Sequence, residues 1–300
     1  MTAFRFGHAA ANDWEAAADA CLAQIGAVPA AANLGFVYVA DALSEDLALI
    51  LDRLQTATGV PHWVGTVGVG ICATGVEYYG EPAIAVMLGE FPPGSFRVFS
   101  GLSGDLDVLE AEHRAWMAEH RPYLALVHAD PALTDIEDIL EELAARTSSG
   151  FLVGGLASAR EAVGFLADGV IRSGVSGVFF STQVPILTRL TQGCSPIGPH
   201  HRVTAAQRNI LIEIDHKPAL DVLKEDVGPE LAGDLARIGG LIFAGLPIPG
   251  SDTGGYLVRN LVGLDPNRGL LAIGHMAGEG DPILFCRRDR GTAREDLIRM

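Results

Sequence analysis

The residues best suited to chemistry lie in one loop, residues 191–199, whose sequence is TQGCSPIGP. The loop carries the thiol of Cys194 between Gly193 and Gly198, and Pro196 follows the thiol closely. Proline and glycine interrupt a strand ladder, so the backbone groups of this loop need partners outside a sheet. Stiff, irregular loops of this kind line many binding sites. A tight corner between two sheet layers explains the same composition, and the sequence leaves both explanations open.

Two groups of ionisable side chains follow that loop. His200 and His201 come directly after it, and because neighbours on an extended chain point to opposite faces, at most one of them serves a given site. A second group follows an apolar strand and has the residue types of an acid–base set: Glu213, Asp215, His216 and Lys217. The alternative is that Asp215 caps the next helix while Lys217 is solvated.

Catalysis is one hypothesis for these residues. Cys194 would be the nucleophile, and His200, His201 or His216 would be the base that activates it. The sequence contains no P-loop, no G-x-S-x-G elbow and no H-E-x-x-H motif, and residues 68–75 miss the G-x-G-x-x-G spacing. The absence of these signatures favours binding without catalysis. A pure interaction scaffold is a third class, which predicts a partner protein and no small ligand.

Mixed strands and helices must position these groups. Periodicity and capping residues predict helices at residues 13–25, 44–59, 103–120, 134–146, 217–225 and 229–238. Strands are predicted at residues 33–40, 60–71, 81–90, 96–100, 123–128, 151–155, 164–166, 174–181, 184–192, 201–204, 209–214, 256–263, 270–275 and 282–287. The expected fold class is therefore α+β, with layered mixed β-sheets flanked by helices. Residues 245–255, rich in Gly and Pro, indicate the neighbourhood of a domain boundary.

Composition limits the functions that these elements support. The 21 Lys and Arg residues against 37 Asp and Glu residues give a net charge of −16, which repels phosphate backbones and excludes sequence-independent nucleic-acid binding. No run approaches the roughly 18 to 20 apolar residues of a spanning helix, so we predict no membrane span. Four separated cysteines without a C-x-x-C pair, and an N-terminus without an apolar leader, predict reduced thiols and a cytoplasmic location.

Short strings along the chain carry a family resemblance. The central strings are GGLAS at 154–158, FLADG at 165–169, GVSGV at 174–178, TQGCSPIG at 191–198, VT at 203–204 and EIDHKPA at 213–219. A second set comprises YLVRN at 256–260, GLD at 263–265, Gly269, Phe285 and Arg288-Asp289. In this order the strings resemble the FIST family, named for F-box and intracellular signal transduction proteins.

The resemblance implies a domain organisation. Residues 1–30 would be a helical lead-in, residues 31–240 the N-terminal domain of the family, and residues 241–300 the beginning of its C-terminal domain. The second domain of the family continues beyond the length of this chain, so the second domain is expected to be incomplete here.

The resemblance also implies a sensory function. Domains of the family are thought to bind small molecules, amino acids among them, and to act beside bacterial signalling proteins such as histidine kinases. One subgroup binds haem and responds to nitric oxide. We therefore predict a non-catalytic small-ligand sensor in signal transduction without a required cofactor, haem being the alternative, and with its site near residues 193–198 where the two domains meet.

Candidate ligand contacts follow from the resemblance as well. Arg259 or Arg288 would bind the carboxylate of an amino acid, Asp265 or Asp289 its ammonium group, and Asn260 belongs to the same string. Ion pairs near sheet ends are the alternative role for the charged residues. Haem would instead take an axial ligand from one of four residues: His200, His201, His216 or Cys194.

Overall fold

Two units make up the chain, Met1–Ile186 and Leu187–Met300. A computed structural model describes residues 4–104, 106–160, 164–188, 193–248 and 255–299. Both units combine helices with sheets, so the predicted α+β class is confirmed. The division between the units falls before the segment 245–255. The domain boundaries near residues 30 and 240 that the family resemblance implies stay predictions.

The first unit contains the same connectivity twice. Its first module comprises β1 (Arg5–Ala10), α1 (Trp14–Ile25), β2 (Leu34–Ala40), a 3-10 helix (Asp41–Asp46), α2 (Leu47–Thr58), β3 (His62–Gly68), the hairpin of β4 (Gly70–Ala73) and β5 (Val76–Tyr79), and β6 (Ala83–Gly89). Its second module comprises β7 (Phe96–Leu102), α3 (Asp107–His120), β8 (Pro122–Ala129), α4 (Ile136–Ala145), β9 (Phe151–Leu156), the hairpin of β10 (Phe165–Ala167) and β11 (Val170–Ile171), and β12 (Val175–Ser181).

The two modules also pair their strands in the same way. The strand orders are β1-β6-β2-β3 and β7-β12-β8-β9. In both, the last pair is parallel and the other two pairs are antiparallel. The hairpins differ: β10 pairs antiparallel with β3 and extends the first sheet, whereas β4 and β5 pair with each other as a separate small sheet.

Four layers form the first unit because the central strands of each sheet, such as β2, β8 and β12, bury both of their faces. Helices α1 and α2 cover the outer face of the first sheet, where Leu47 and Leu54 pack on Val37. Helices α3 and α4 cover the outer face of the second sheet in the same manner. The inner faces of the two sheets pack on each other through one apolar cluster that includes Phe36, Val64, Leu124 and Val178. Burial on both sides explains the nearly continuous apolar sequence of β2, LGFVYVA.

Antiparallel strands form the second unit. Its elements are β13 (Ser195–Pro196), β14 (His201–Gln207), β15 (Ile210–Ile214), β16 (Lys217–Pro218), α5 (Ala219–Val227), α6 (Pro229–Ala232), α7 (Leu235–Leu241), β17 (Ile242–Pro247), β18 (Tyr256–Asp265), β19 (Leu270–Ile273), β20 (Pro282–Arg287) and α8 (Arg290–Arg299). The pairings run β20-β14-β15-β19-β18-β17, and β17 pairs back onto β20, which closes a six-stranded barrel. An apolar cluster around Leu211, Leu223, Ile242 and Phe285 forms its core.

Several local predictions are confirmed and several are wrong. Helix α1 begins at the N-cap Asp13 and ends at Gly26, as predicted. Strands β1 and β17 are not predicted from the sequence, and β5 lies between the predicted strands 60–71 and 81–90 rather than in either of them. Residues 184–188 are not a strand, and the rest of that predicted strand, residues 189–192, lies outside the described residues, as does Asp105 in the predicted helix 103–120. Among the described residues, no helix combines the length and apolarity needed to cross a membrane.

Candidate functional site

The thiol of Cys194 lies inside the second unit. Cys194 is 1% exposed and packs in an apolar cluster with Phe243, Tyr256, Val258, Leu284 and Cys286. Its carbonyl oxygen accepts a hydrogen bond from the Tyr256 hydroxyl at 2.8 Å. Directly after it, Ser195 and Pro196 pair with β20, so this part of the loop belongs to the barrel sheet. A ligand-binding role for the loop stays a prediction.

Some of the other predicted contacts gather around Phe243. The guanidinium carbon of Arg288 lies 4.5 Å from the centre of the Phe243 ring. A Cβ atom at Gly193 would lie 4.0 Å from Nε of Arg288. Asn260 stands opposite Phe243 in the pairing of β17 with β18. The structure therefore brings Gly193, Arg288 and Asn260 into the neighbourhood of the ring against which Cys194 also packs.

The two carboxylates predicted to bind an ammonium group accept backbone hydrogen bonds instead, one in a turn and one at the start of a helix. The Asp265 carboxylate accepts the backbone N–H groups of Asn267 and Arg268 at 3.0 and 3.1 Å. Because Asp265 lies five residues beyond Asn260 on β18, these two residues are separated by about 16 Å. Asp289 accepts the backbone N–H of Thr292 at 3.0 Å at the start of α8. Arg259 donates from Nη1 to the Val258 carbonyl oxygen at 3.1 Å.

Of the four residues considered as haem ligands, His201 is engaged through both ring nitrogens, and haem binding stays a prediction. His201 binds Oδ2 of Asp215 through Nδ1 at 2.7 Å and Oδ2 of Asp226 through Nε2 at 3.0 Å, so neither ring nitrogen is available to iron without losing a carboxylate. Gly198 lies against the same group, since a Cβ atom there would be 2.3 Å from the Asp226 carboxyl. His200 and His216 are exposed, and the thiol of Cys194 is enclosed by apolar side chains.

Thiol labelling tests the nucleophile hypothesis. Cys72 is exposed, whereas the other three cysteines are buried, and burial raises the pKa of both Cys21 and Cys286 to about 12. We expect an aromatic disulfide reagent to titrate about one thiol per native chain and all four thiols after denaturation. Peptide mapping should locate the fast label on Cys72. Labelling of Cys194 in the native chain faster than Cys72 would instead support the enzyme hypothesis.

A cavity of about 280 Å³ lies in the first unit, at the carboxyl ends of parallel strands from both modules. Its described lining comprises Tyr38, Thr66, Val67, Gly68, Gly70, Ile71, Cys72, Leu156, Ala157 and Ser158. Ligands of α/β proteins commonly bind beyond the carboxyl ends of parallel strands. None of these ten residues carries a charge. The volume falls just below the roughly 300 to 1,000 Å³ of common ligand pockets, so the cavity suits a small molecule.

Tyr38 joins this cavity to a buried polar group between the sheets. Its hydroxyl lies 3.2 Å from Nε2 of His128, which is 3% exposed. Burial lowers the pKa of His128 to about 4 and raises the pKa of Tyr38, so both side chains are neutral at neutral pH. If His128 donates, the Tyr38 hydroxyl is a donor toward the cavity; in the other tautomer, the hydroxyl oxygen is an acceptor there.

Two buried polar atoms, one on the His128 ring and one on the residue opposite it in the sheet, have unused hydrogen-bonding capacity. Ser176 stands directly opposite His128 in the pairing of β12 with β8 and is 1% exposed. Within the described part of the chain, neither Nδ1 of His128 nor Oγ of Ser176 has a hydrogen-bond partner. Buried polar atoms normally find partners, so this place suits a water molecule or a polar ligand group.

The β4–β5 hairpin separates this cavity from a second one of about 220 Å³. Tyr38 and Cys72 line both cavities, and His8 and Phe36 line only the second. Nδ1 of His8 lies 2.7 Å from the Tyr78 hydroxyl, which fastens the hairpin to β1. On the other side of the first cavity, the Ser158 hydroxyl accepts the backbone N–H of Val69 at 3.2 Å. These contacts hold both walls of the first cavity in place.

Sequence reasoning missed this site because its residues are far apart in the chain. Tyr38 and His128 lie near the carboxyl ends of two predicted apolar strands, and a polar ring at such a place was the available signal. Cys72 lies in the glycine-containing run that fails the phosphate-loop spacing. Ser158 closes one of the family strings. Three cavities in the first unit have described lining residues that include none of those predicted as ligand contacts.

The first unit thus combines a layered fold with an uncharged cavity of about 280 Å³ at the ends of its parallel strands. Residues 33–217 match the family model described as the FIST N domain. The match covers more than half of the chain, and the chain therefore belongs to the FIST family. The FIST domain marks it as a sensory domain of signal transduction.

Two mycobacterial relatives span nearly the whole chain. The uncharacterized protein Rv0628c of Mycobacterium tuberculosis strain H37Rv is 30% identical over 294 residues, which cover 94% of this chain and 74% of that protein. The uncharacterized protein Mb0898c of Mycobacterium bovis is 28% identical over 287 residues, which cover 89% of this chain and 70% of that protein. The likeness thus extends beyond the matched domain into both units.

Proposed function

We propose that the chain is a sensory domain that binds one small polar molecule in the cavity beside Tyr38 and does not transform it. One observation carries the proposal: a cavity of about 280 Å³ with an uncharged lining contains the Tyr38 hydroxyl, which a neutral His128 orients from behind. Such a site offers hydrogen bonds without charge. It therefore suits a ligand with a hydroxyl, amide or carbonyl group.

The lining also supports binding rather than catalysis. General acid–base catalysis needs a group that titrates near the working pH within reach of the substrate. Burial raises the pKa of Tyr38, and the ten described lining residues include one thiol, that of Cys72, and no carboxylate, imidazole or amine. The hydroxyl of Ser158 already accepts a backbone N–H. The groups that face the cavity are thus suited to recognition.

An amino acid remains within this proposal as the ligand class that the family resemblance implies. The charged residues expected to bind it, Arg259, Arg288, Asp265 and Asp289, belong to the second unit. An amino acid in the cavity would instead be recognised by hydroxyl and backbone groups at the strand ends. The output partner, a signalling protein such as a histidine kinase, is likewise proposed from the family.

A ligand panel tests the proposal. The panel contains the twenty common amino acids and uncharged metabolites with hydroxyl, amide or carbonyl groups, and binding is followed by thermal shift and calorimetry. We expect at least one compound to bind, and Tyr38→Phe to weaken its binding about two- to twelvefold, because one hydrogen bond contributes about 0.5 to 1.5 kcal/mol.

The matched control is Tyr79→Phe. Tyr79 is 78% exposed on the neighbouring strand β5, so its hydroxyl should not affect binding. Equal affinity of the wild type and the Tyr38 variant, or an equal loss of affinity in both variants, would show that the Tyr38 hydroxyl does not contact the ligand. A panel in which nothing binds would contradict the proposal as stated.

A further inference from the structure

The outer edge of β9 is unusually well suited to accept another strand. Within the described residues, β9 pairs with β8 on one side and is the terminal strand of its sheet on the other. Its sequence, FLVGGL, has no charge and no proline, the features that commonly protect sheet edges. Phe151, Val153 and Leu156 are all exposed. An exposed apolar edge of this kind indicates a place for strand addition.

The first module shows how the equivalent edge is completed. A Cβ atom at Gly65 of β3 would lie 1.8 Å from the Val37 carbonyl oxygen, and a Cβ atom at Gly154 of β9 would lie 1.8 Å from the Val127 carbonyl oxygen. This shared close approach aligns β3 with β9 residue by residue. On β3 the edge is covered by antiparallel β10, with Leu166 opposite Gly65.

Beside β9 lies an apolar cavity, here called the socket, at the position equivalent to the one that the Leu166 side chain occupies beside β3. Leu166 is fully buried in one apolar cluster with Val37, Val39, Trp63 and Val67. By the alignment of the modules, the equivalents of these four residues are Val127, Ala129, Leu152 and Leu156. All four line a cavity of about 200 Å³ next to Gly154. Among the described residues, the second module thus has the socket but no side chain that fills it.

We propose that β9 of a second copy of this chain completes this edge, antiparallel and about a twofold axis through Val153. The segment Phe151-Leu152-Val153 repeats the pattern Phe165-Leu166-Ala167 of β10. In the register of β10 on β3, the partner's Leu152 stands opposite Gly154 and enters the socket. The partner's Phe151 then faces Gly155, and Val153 faces its own symmetry equivalent.

This register is symmetric, so each copy places its Leu152 in the socket of the other. This symmetry is the reason for proposing a second copy as the occupant. Pairing Leu152 with Gly154 in one direction gives the same pair in the other, and the two glycines leave room for the two bulky side chains. The result is one continuous sheet of eight strands. Six-residue edges bury less than the roughly 1,200 Å² of a standard interface, so the dimer should dissociate in the micromolar range. The proposal does not rest on ligand binding in the cavity beside Tyr38.

Sedimentation velocity between 1 and 200 µM tests the dimer. The wild type should approach twice the 31.6 kDa chain mass at the highest concentrations. Val153→Lys places like charges at the twofold axis and should keep the chain monomeric. Val262→Lys, at a valine 59% exposed on β18, is the matched control and should dimerise like the wild type. A monomeric wild type, or a dimer that Val153→Lys leaves intact, would overturn the proposal.

Disulfide cross-linking tests the register. In Val153→Cys the two introduced thiols would face each other across antiparallel strands, where directly opposite Cβ atoms lie about 4.5 to 5.5 Å apart, close enough for a disulfide after small adjustments. Oxidation should therefore cross-link Val153→Cys at least tenfold more than Phe151→Cys or Val262→Cys. All three variants keep the exposed Cys72, so it contributes the same background to each. Equal cross-linking of the three variants would contradict this register. Binding of a peptide with the β10 sequence to a monomeric wild type would indicate a strand from another protein instead.

Discussion

Replacing Gly65 with alanine is expected to destabilise the first unit by about 3 kcal/mol or more, at or above the upper end of typical overpacking costs. A Cβ atom at this position would lie 1.8 Å from the carbonyl oxygen of Val37 on the neighbouring parallel strand. The obstacle is backbone, so no side-chain rotation relieves it. The strands β2 and β3 would have to separate, and their hydrogen bonds would be lost. Gly154→Ala should have a comparable effect through Val127, because the modules are equivalent.

Urea unfolding followed by tryptophan fluorescence measures this effect. All three tryptophans, Trp14, Trp63 and Trp116, belong to the first unit, so their signal reports on that unit. Gly169→Ala in the β10–β11 turn is the matched control, since a Cβ atom there meets nothing within 4 Å. Its midpoint should differ little from that of the wild type. A Gly65 variant as stable as the control would show that β2 and β3 are not in this register.

The second large effect is expected from His201→Ala in the second unit. The imidazole lies between two carboxylates, at 2.7 Å from Asp215 and 3.0 Å from Asp226. The Asp226 side chain is only 7% exposed, so removal of His201 leaves a nearly buried carboxylate without its cation. Breaking such a pair from one side costs about 3 kcal/mol. Lys217→Ala, which removes an exposed ion pair with Glu225, is the control and should cost less than about 1 kcal/mol.

The His201 group also predicts a pH dependence with a definite sign. Burial lowers the pKa of His201, but the hydrogen bonds to Asp215 and Asp226 outweigh burial, and the net pKa is raised. Its stabilisation is therefore complete below the ordinary histidine pKa of about 6.5 and is lost as the pH rises through the raised value. The hydrogen bond from His201 lowers the pKa of Asp215, so the contribution of Asp215 is present above about pH 4 and is lost in more acidic solution.

Hydrogen exchange of the amides in β14 and α5 measures this dependence. Between pH 5.5 and pH 8.5, after correction for intrinsic exchange rates, the wild type should lose protection and His201→Ala should lose much less. Parallel curves for the two proteins would mean that His201 is not a cation in the folded state at pH 5.5.

Local structure was predictable where caps and apolar periodicity agree. Asp13 and Gly26 bound α1 as the sequence suggests, and Gly59 ends α2. The repeat was not predictable from composition, because equivalent positions carry different residues, such as Tyr38 and His128. Strand β17 contains Gly245 and Pro247, which resemble a linker in sequence but pair with β18 and β20 in the barrel. Whether such a segment is a strand or a linker depends on its pairing with distant strands, which the local sequence does not show.

The candidate site depended even more on distant contacts. The loop around Cys194 stands out in composition, yet Phe243 and Cys286, which enclose the thiol, come from strands more than forty residues further along. The partner Asp226 of His201 lies 25 residues away on a helix. Tyr38, Cys72 and Ser158 form one cavity although they span most of the first unit. Residue types alone therefore suggested chemistry, whereas strand order determined which side chains meet.

Ligand protection of Cys72 is the most direct test of binding beside Tyr38. Cys72 is an exposed thiol that lines both neighbouring cavities, so a molecule bound there should block its access to reagent. A compound from the panel that stabilises the protein should slow alkylation of Cys72 at least fivefold at saturation, and less so at the same concentration in Tyr38→Phe. An unchanged alkylation rate at saturation would contradict binding in this cavity.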